Sequence, residues 1–112
     1  MGIREQMRKG TTTVILLNLL AEMERPMYGY EIIQELEARS QGYFQFKEGL
    51  IYPRLHELER QGLLRSEWHG EEGSRRRKFY TVTDAGRRRL DREMQGWRSF
   101  TQHVNDLLGV EP

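Results

Sequence analysis

At Leu64 the spacing of apolar residues changes from helical to alternating, and at Thr83 it changes back. Few folds accommodate that order. Upstream, residues 11–24, TTTVILLNLLAEME, carry apolar side chains on nearly every face, as expected of a helix wrapped by other elements and stopped before Pro26. Met27-Tyr28-Gly29-Tyr30 opens a second helix, with Tyr30, Ile33 and Leu36 as its inward stripe and Gly42 as its stop. Ile51, Leu55 and Leu58 mark a third, short helix that Gly62 ends. From Leu64 the residues Leu64, Ser66 and Trp68 alternate with Arg65, Glu67 and His69. After Gly70-Glu71-Glu72-Gly73-Ser74, the residues Arg76, Lys78, Tyr80 and Val82 alternate with Arg75, Arg77, Phe79 and Thr81, which predicts a β-hairpin. Thr83 caps a last helix over about Ala85 to Leu108, with Asp84 at its positive end. The pattern predicts a mainly α fold with a β-hairpin (α+β): a winged helix-turn-helix over residues 1–84 and a long C-terminal dimerisation helix over residues 85–112.

Composition narrows the function. The chain has 112 residues, of which 37% are hydrophobic and 31% charged, so it carries one domain with a thin core that a second copy would thicken. It has no cysteine, which excludes disulfides, thiolate nucleophiles and Cys-rich zinc sites. His56, His69 and His103 share no metal-ligand spacing, and no Ser-His-Asp set, phosphate loop or carboxylate pair can be assembled. Neither an enzyme, a metal nor a cofactor is expected. The run Val14–Leu20 is too short to span a membrane, and Arg4, Glu5, Arg8 and Lys9 lead to no cleavable site, so a cytoplasmic protein is expected.

Charge points to a partner. The net charge is only +1, yet Arg75, Arg76, Arg77, Lys78, Arg87, Arg88, Arg89 and Arg92 cluster against Asp84 and Asp91 alone. In a helix-turn-helix the second helix of the unit enters the major groove by its N-terminal end while flanking groups hold phosphates. If residues 48–61 form that helix, Lys47, Ile51, Tyr52 and Arg54 stand at or near the end that meets DNA. Pro53 then falls in the opening turns and fixes the entry geometry. Tyr28 sits near the start of the preceding helix as a further phosphate contact. Only half of Arg75–Lys78 can share one face of a strand, so about two of them meet a phosphate together.

The segments GTTTVILLNLL, YGYEIIQEL, EGLIYPRLHELERQGLL and SRRRKFYTVTDAGRRRL, with the later Trp97, resemble the PadR family of bacterial transcriptional regulators, over roughly residues 9–108. The single helix after the wing is similar to the small-member subfamily. That resemblance implies a homodimeric repressor on a pseudo-palindromic double-stranded operator, released when a small molecule binds. It also implies that Trp97 stacks on a planar aromatic effector at the dimer interface, with Met7, Val14, Met94, Phe100 and Thr101 as neighbours.

Three alternatives stay open in the sequence. Leu90, Met94, Trp97, Val104 and Leu108 follow the 4-and-3 spacing of a seam for a partner helix, with Thr101 filling the gap, so Trp97 reads equally as dimer packing and as ligand platform. Arg87, Arg88 and Arg89 read as a solvated face or as phosphate neighbours. The whole unit could also be a winged-helix protein-interaction module without specific DNA binding.

Overall fold

The computed structural model describes residues 9–70 and 75–110. In chain order the elements are α1 (Lys9–Met23), β1 (Met27–Tyr28), α2 (Gly29–Arg39), α3 (Glu48–Arg60), β2 (Leu64–His69), β3 (Arg77–Val82) and α4 (Asp84–Leu108). The three strands form one antiparallel sheet in the order β1-β3-β2.

The core follows from the helical stripes. Leu16, Leu17, Leu19 and Leu20 of α1 meet Ile32, Ile33 and Leu36 of α2, Ile51, Leu55 and Leu58 of α3, and Tyr80 of β3. Two expectations need correction here. Tyr30 is 53% exposed and does not belong to the α2 stripe. The buried set is Gly29, Ile32, Ile33 and Leu36, and Tyr30 lies about 200° around the helix from Ile32. Met27 and Tyr28 do not open the helix: Tyr28 is extended, and the pair forms β1, with Met27 opposite Tyr80 and Tyr28 opposite Phe79.

Pro53 stands sixth in α3, beyond the first four positions whose N–H groups lack partners. There it removes a donor that the Gly49 carbonyl would otherwise receive. The helix nonetheless runs on to Arg60. It stops at Gly62, where φ is +78°, and Leu63 N–H reaches back to the Leu58 carbonyl at 2.9 Å, the closure that a left-handed glycine allows.

Helix α4 grows from the base of the hairpin. Thr83 Oγ1 accepts the Gly86 N–H at 3.0 Å and donates to the Gly62 carbonyl at 2.7 Å, so one hydroxyl caps α4 and ties it to the end of α3. Gly86 lies on the backbone of Leu63: a Cβ there would stand 2.2 Å from that carbonyl oxygen. Leu90 is 8% exposed within the subunit's own core, so its reading as the first residue of a partner seam is corrected. Beyond Met94 the helix leaves the body. The radius of gyration, 15.7 Å, exceeds the about 13 Å of a compact chain of this length, and the long axis reaches 58 Å. Trp97, Phe100, Leu107 and Leu108 are exposed along that projecting part, whereas Val104 is half-buried. Among the described residues no helix is long and apolar enough to cross a membrane.

Candidate nucleic-acid interface

A cleft of about 760 Å³ opens between the start of α2, one side of α3 and the hairpin. Helical spacing sends Glu48, Tyr52 and His56 toward it from α3, while Ile51, Leu55 and Leu58 turn into the core. Tyr28, Gly29 and Tyr30 form another wall, and Trp68, Arg75, Arg76, Arg77, Lys78 and Tyr80 close it from the hairpin.

Gly29 is what lets α3 come so near. The Tyr52 ring occupies the space of a side chain at that position, 2.1 Å from where a Cβ would be. Half-burial of this ring pushes the Tyr52 hydroxyl above its usual pKa; Glu48 adds to the shift and Arg75 opposes it.

The basic residues divide by face. Strand register sets Trp68 opposite Lys78 and Ser66 opposite Tyr80 on the side facing α3, and His69 opposite Arg77 and Glu67 opposite Phe79 on the other. The Arg77 guanidinium lies 4.6 Å over the Tyr28 ring, which meets Phe79 edge-on at 5.3 Å. Arg76 stands 5.9 Å from the Trp68 ring. Among the described residues no carboxylate forms an ion pair with Arg75, Arg76 or Arg77, and all three are exposed. Lys78 differs: its Nζ meets Glu59 Oε1 at 2.8 Å and lies 5.5 Å from the Tyr80 ring.

The residues expected at DNA are therefore gathered only in part. Tyr28, Tyr52, Arg75, Arg76, Arg77 and Lys78 share the cleft. Lys47 is exposed at the N-cap of α3, and Arg54 is half-buried on that helix, outside the cleft lining. Ile51 is fully buried, so it cannot contact a surface ligand; it anchors α3 in the core. Trp68 is 57% exposed and lines the cleft with His56. His56 could have been found from its place one turn beyond Tyr52. Gly29 carried no such signal, because its neighbour comes from another helix. Arg89 pairs with Glu93 at 2.8 Å, not with Asp84 or Asp91.

The residues expected around an effector lie elsewhere. Val14 and Met94 are half-buried against the core, Trp97 is 47% exposed, and its ring centroid stands 6.2 Å from that of Phe100. Thr101 is half-buried and its hydroxyl donates to the Trp97 carbonyl at 3.0 Å. Met7 lies outside the described residues. No three His, Cys, Asp or Glu residues converge on a metal-sized site among the described residues.

Three helices, a hairpin wing and an appended helix define a winged-helix protein. Residues 16–92 match the transcriptional regulator PadR-like family. The chain belongs to that family, and with it to the transcriptional regulators rather than the enzymes. It is 31% identical over 104 residues to the transcriptional regulator Rv3488 of Mycobacterium tuberculosis, covering 92% of this chain and 91% of the relative. A PadR-like transcription factor from Bacteroides fragilis superposes with a TM-score of 0.75 at 30% identity, over 94% of this chain and 97% of the other. A PadR-like transcriptional regulator from Bacillus cereus gives a TM-score of 0.75 at 29% identity, over 95% and 99% of the two chains.

Proposed function

We propose that this regulator binds a pseudo-palindromic operator in double-stranded DNA as a homodimer, acts as a repressor, and is released by a planar aromatic effector beside Trp97. The observation that carries the DNA reading is the run Arg75, Arg76 and Arg77, exposed and without carboxylate partners among the described residues, on the same cleft as Tyr52 near the N-terminal end of α3. In this reading that end of α3 enters the major groove. Tyr28, Lys47, Tyr52 and Arg54 hold phosphates or sugars and set register, and the wing arginines supply the salt-dependent part of the affinity.

Residues 1–84 would then meet DNA and residues 85–112 the partner subunit. Support for the second role is the projecting half of α4, where the apolar side chains of Trp97, Phe100, Leu107 and Leu108 are exposed. A mobility shift with promoter DNA at two salt concentrations, against unrelated competitor, tests the DNA reading. Selective binding is expected, with log Kd rising steeply with log salt by about 0.9 per neutralised phosphate. Equal affinity for both DNAs, or no binding at low salt, removes it. Sedimentation of Leu108→Glu should show a monomer, and planar aromatics should quench Trp97; an intact dimer moves the interface, and unchanged emission removes the effector.

A further inference from the structure

The hairpin carries four consecutive basic residues, and one of them has a different environment from the rest. Lys78 is the fourth, and its side chain is 26% exposed against Glu59 of α3. Glu59 is held from two strands at once: Lys78 Nζ meets Oε1 at 2.8 Å, and Ser66 of β2 donates its hydroxyl to Oε2. The Lys78 ammonium also lies 5.5 Å from the Tyr80 ring and 6.0 Å from the Trp68 ring.

We infer that Lys78 does not neutralise a phosphate but, with Ser66, latches the wing to Glu59 of α3, and so positions Arg75, Arg76 and Arg77 relative to the end of α3 that meets DNA. The bond geometry supports this division of labour. A phosphate would have to compete for Lys78 with a carboxylate that already pairs with it at 2.8 Å and whose other oxygen is held by Ser66. The hydrogen bonds donated by Lys78 and Ser66 hold the Glu59 carboxyl below its usual range, and donating to Glu59 raises Lys78, so both groups stay charged and paired across neutral pH. Arg76, two residues earlier and so on the same face of the strand, has no carboxylate partner among the described residues and lines the cleft beside Trp68.

The latch rests on the DNA-binding reading above for its consequence, not for its existence. Its sign separates it from simple electrostatics. Removing a negative charge beside a DNA-binding surface should tighten binding if charge alone matters. A latch predicts the opposite.

The experiment is anisotropy of labelled promoter DNA with the whole chain as wild type, Glu59→Ala, Ser66→Ala and Arg76→Ala across a salt series, with amide exchange of β2 and β3 measured in parallel. Glu59→Ala should weaken binding by about fivefold, the scale of a partly exposed ion pair. Ser66→Ala, which changes no charge, should weaken it less. Both should leave the salt slope unchanged and speed amide exchange in β2 and β3. Arg76→Ala should lower the slope by about 0.9. Tighter or unchanged binding by Glu59→Ala, or unchanged exchange, overturns the latch. If the wild type shows no selective DNA binding, the DNA reading fails by itself. Exchange in Glu59→Ala then decides the latch: faster exchange keeps it, and unchanged exchange rejects it.

Discussion

Gly29 and Gly86 mark two joints of the molecule that look alike by distance and differ in kind. At each, a Cβ would stand about 2 Å from a neighbour: 2.1 Å from Tyr52 Cε1 at Gly29, and 2.2 Å from the Leu63 carbonyl oxygen at Gly86. The first neighbour is a ring on a rotatable side chain. The second is backbone, pinned by the Thr83 N–H donating to the same carbonyl at 3.1 Å and by the Leu63 N–H donating to Leu58. A close approach between backbones is a condition of folding, whereas one against a side chain sets where that side chain points. The joint at the root of α4 is therefore structural, and the joint between α2 and α3 shapes the cleft.

The largest effect should come from Gly86→Val. Neither the Leu63 carbonyl nor Val82 Cγ2, 2.7 Å from the same point, can give way without parting α4 from the hairpin. The expected loss exceeds about 3 kcal/mol of unfolding free energy, read from the urea midpoint. A midpoint near that of the wild type would mean the root of α4 is not a rigid joint. Gly29→Ala is the counterpart. Tyr52 can swing aside at a cost of about 1 kcal/mol, so the fold should persist, while promoter affinity should drop about tenfold as the ring leaves its wall of the cleft. If DNA binding is retained with the fold intact, the orientation of Tyr52 does not matter for binding and the contrast between the two joints fails.

Neither joint was legible in the sequence, although most elements were. The helices, the hairpin and the Thr83 cap follow from periodicity and side-chain chemistry, which act between residues close in the chain. Gly29 and Gly86 act between elements, and a glycine leaves no pattern to show what fills its place. Strand β1 has two residues, too few to display a period, so Met27 and Tyr28 read as the start of α2. Ile51 and Leu90 were misread for another reason: apolar residues at helical spacing look the same whether the surface they meet is the subunit's own core, DNA or a partner. Alternation set Lys78 apart from Arg77 by face, but only the fold could bring Glu59 across from α3.

Thr83→Ala sharpens the structural side of the comparison. It removes both the cap on Gly86 N–H and the tie to the Gly62 carbonyl, and about 1 kcal/mol should go with them. Thr83→Ser keeps the oxygen and should recover most of that loss in the same urea titration. Failure of the serine to recover it would assign the cost to the lost methyl group instead of the hydroxyl.

The smallest effect tests the same contrast through pH. The Glu59 carboxyl titrates below its ordinary value in the folded state, because Lys78 and Ser66 hydrogen-bond its charged form. The unfolded chain therefore binds more protons than the folded one in mild acid. The latch's contribution is present in full above the unfolded carboxylate pKa of about 4.3 and is lost as the pH falls through the lower folded value. Lys78 shifts the opposite way, so its share is complete below its unfolded pKa and fades only as the pH rises through the folded value. For a pair about a quarter to a third exposed, a few tenths of a kcal/mol is the appropriate scale. The gap in unfolding free energy between wild type and Glu59→Gln should hence be constant near neutrality and close on acidification. The gap for Thr83→Ala, at a joint made of a hydroxyl and peptide groups, should not change over that range. Two gaps that fall together would mean that acid loosens the hairpin at its base as well as along its strands, and that the two joints are one cooperative unit.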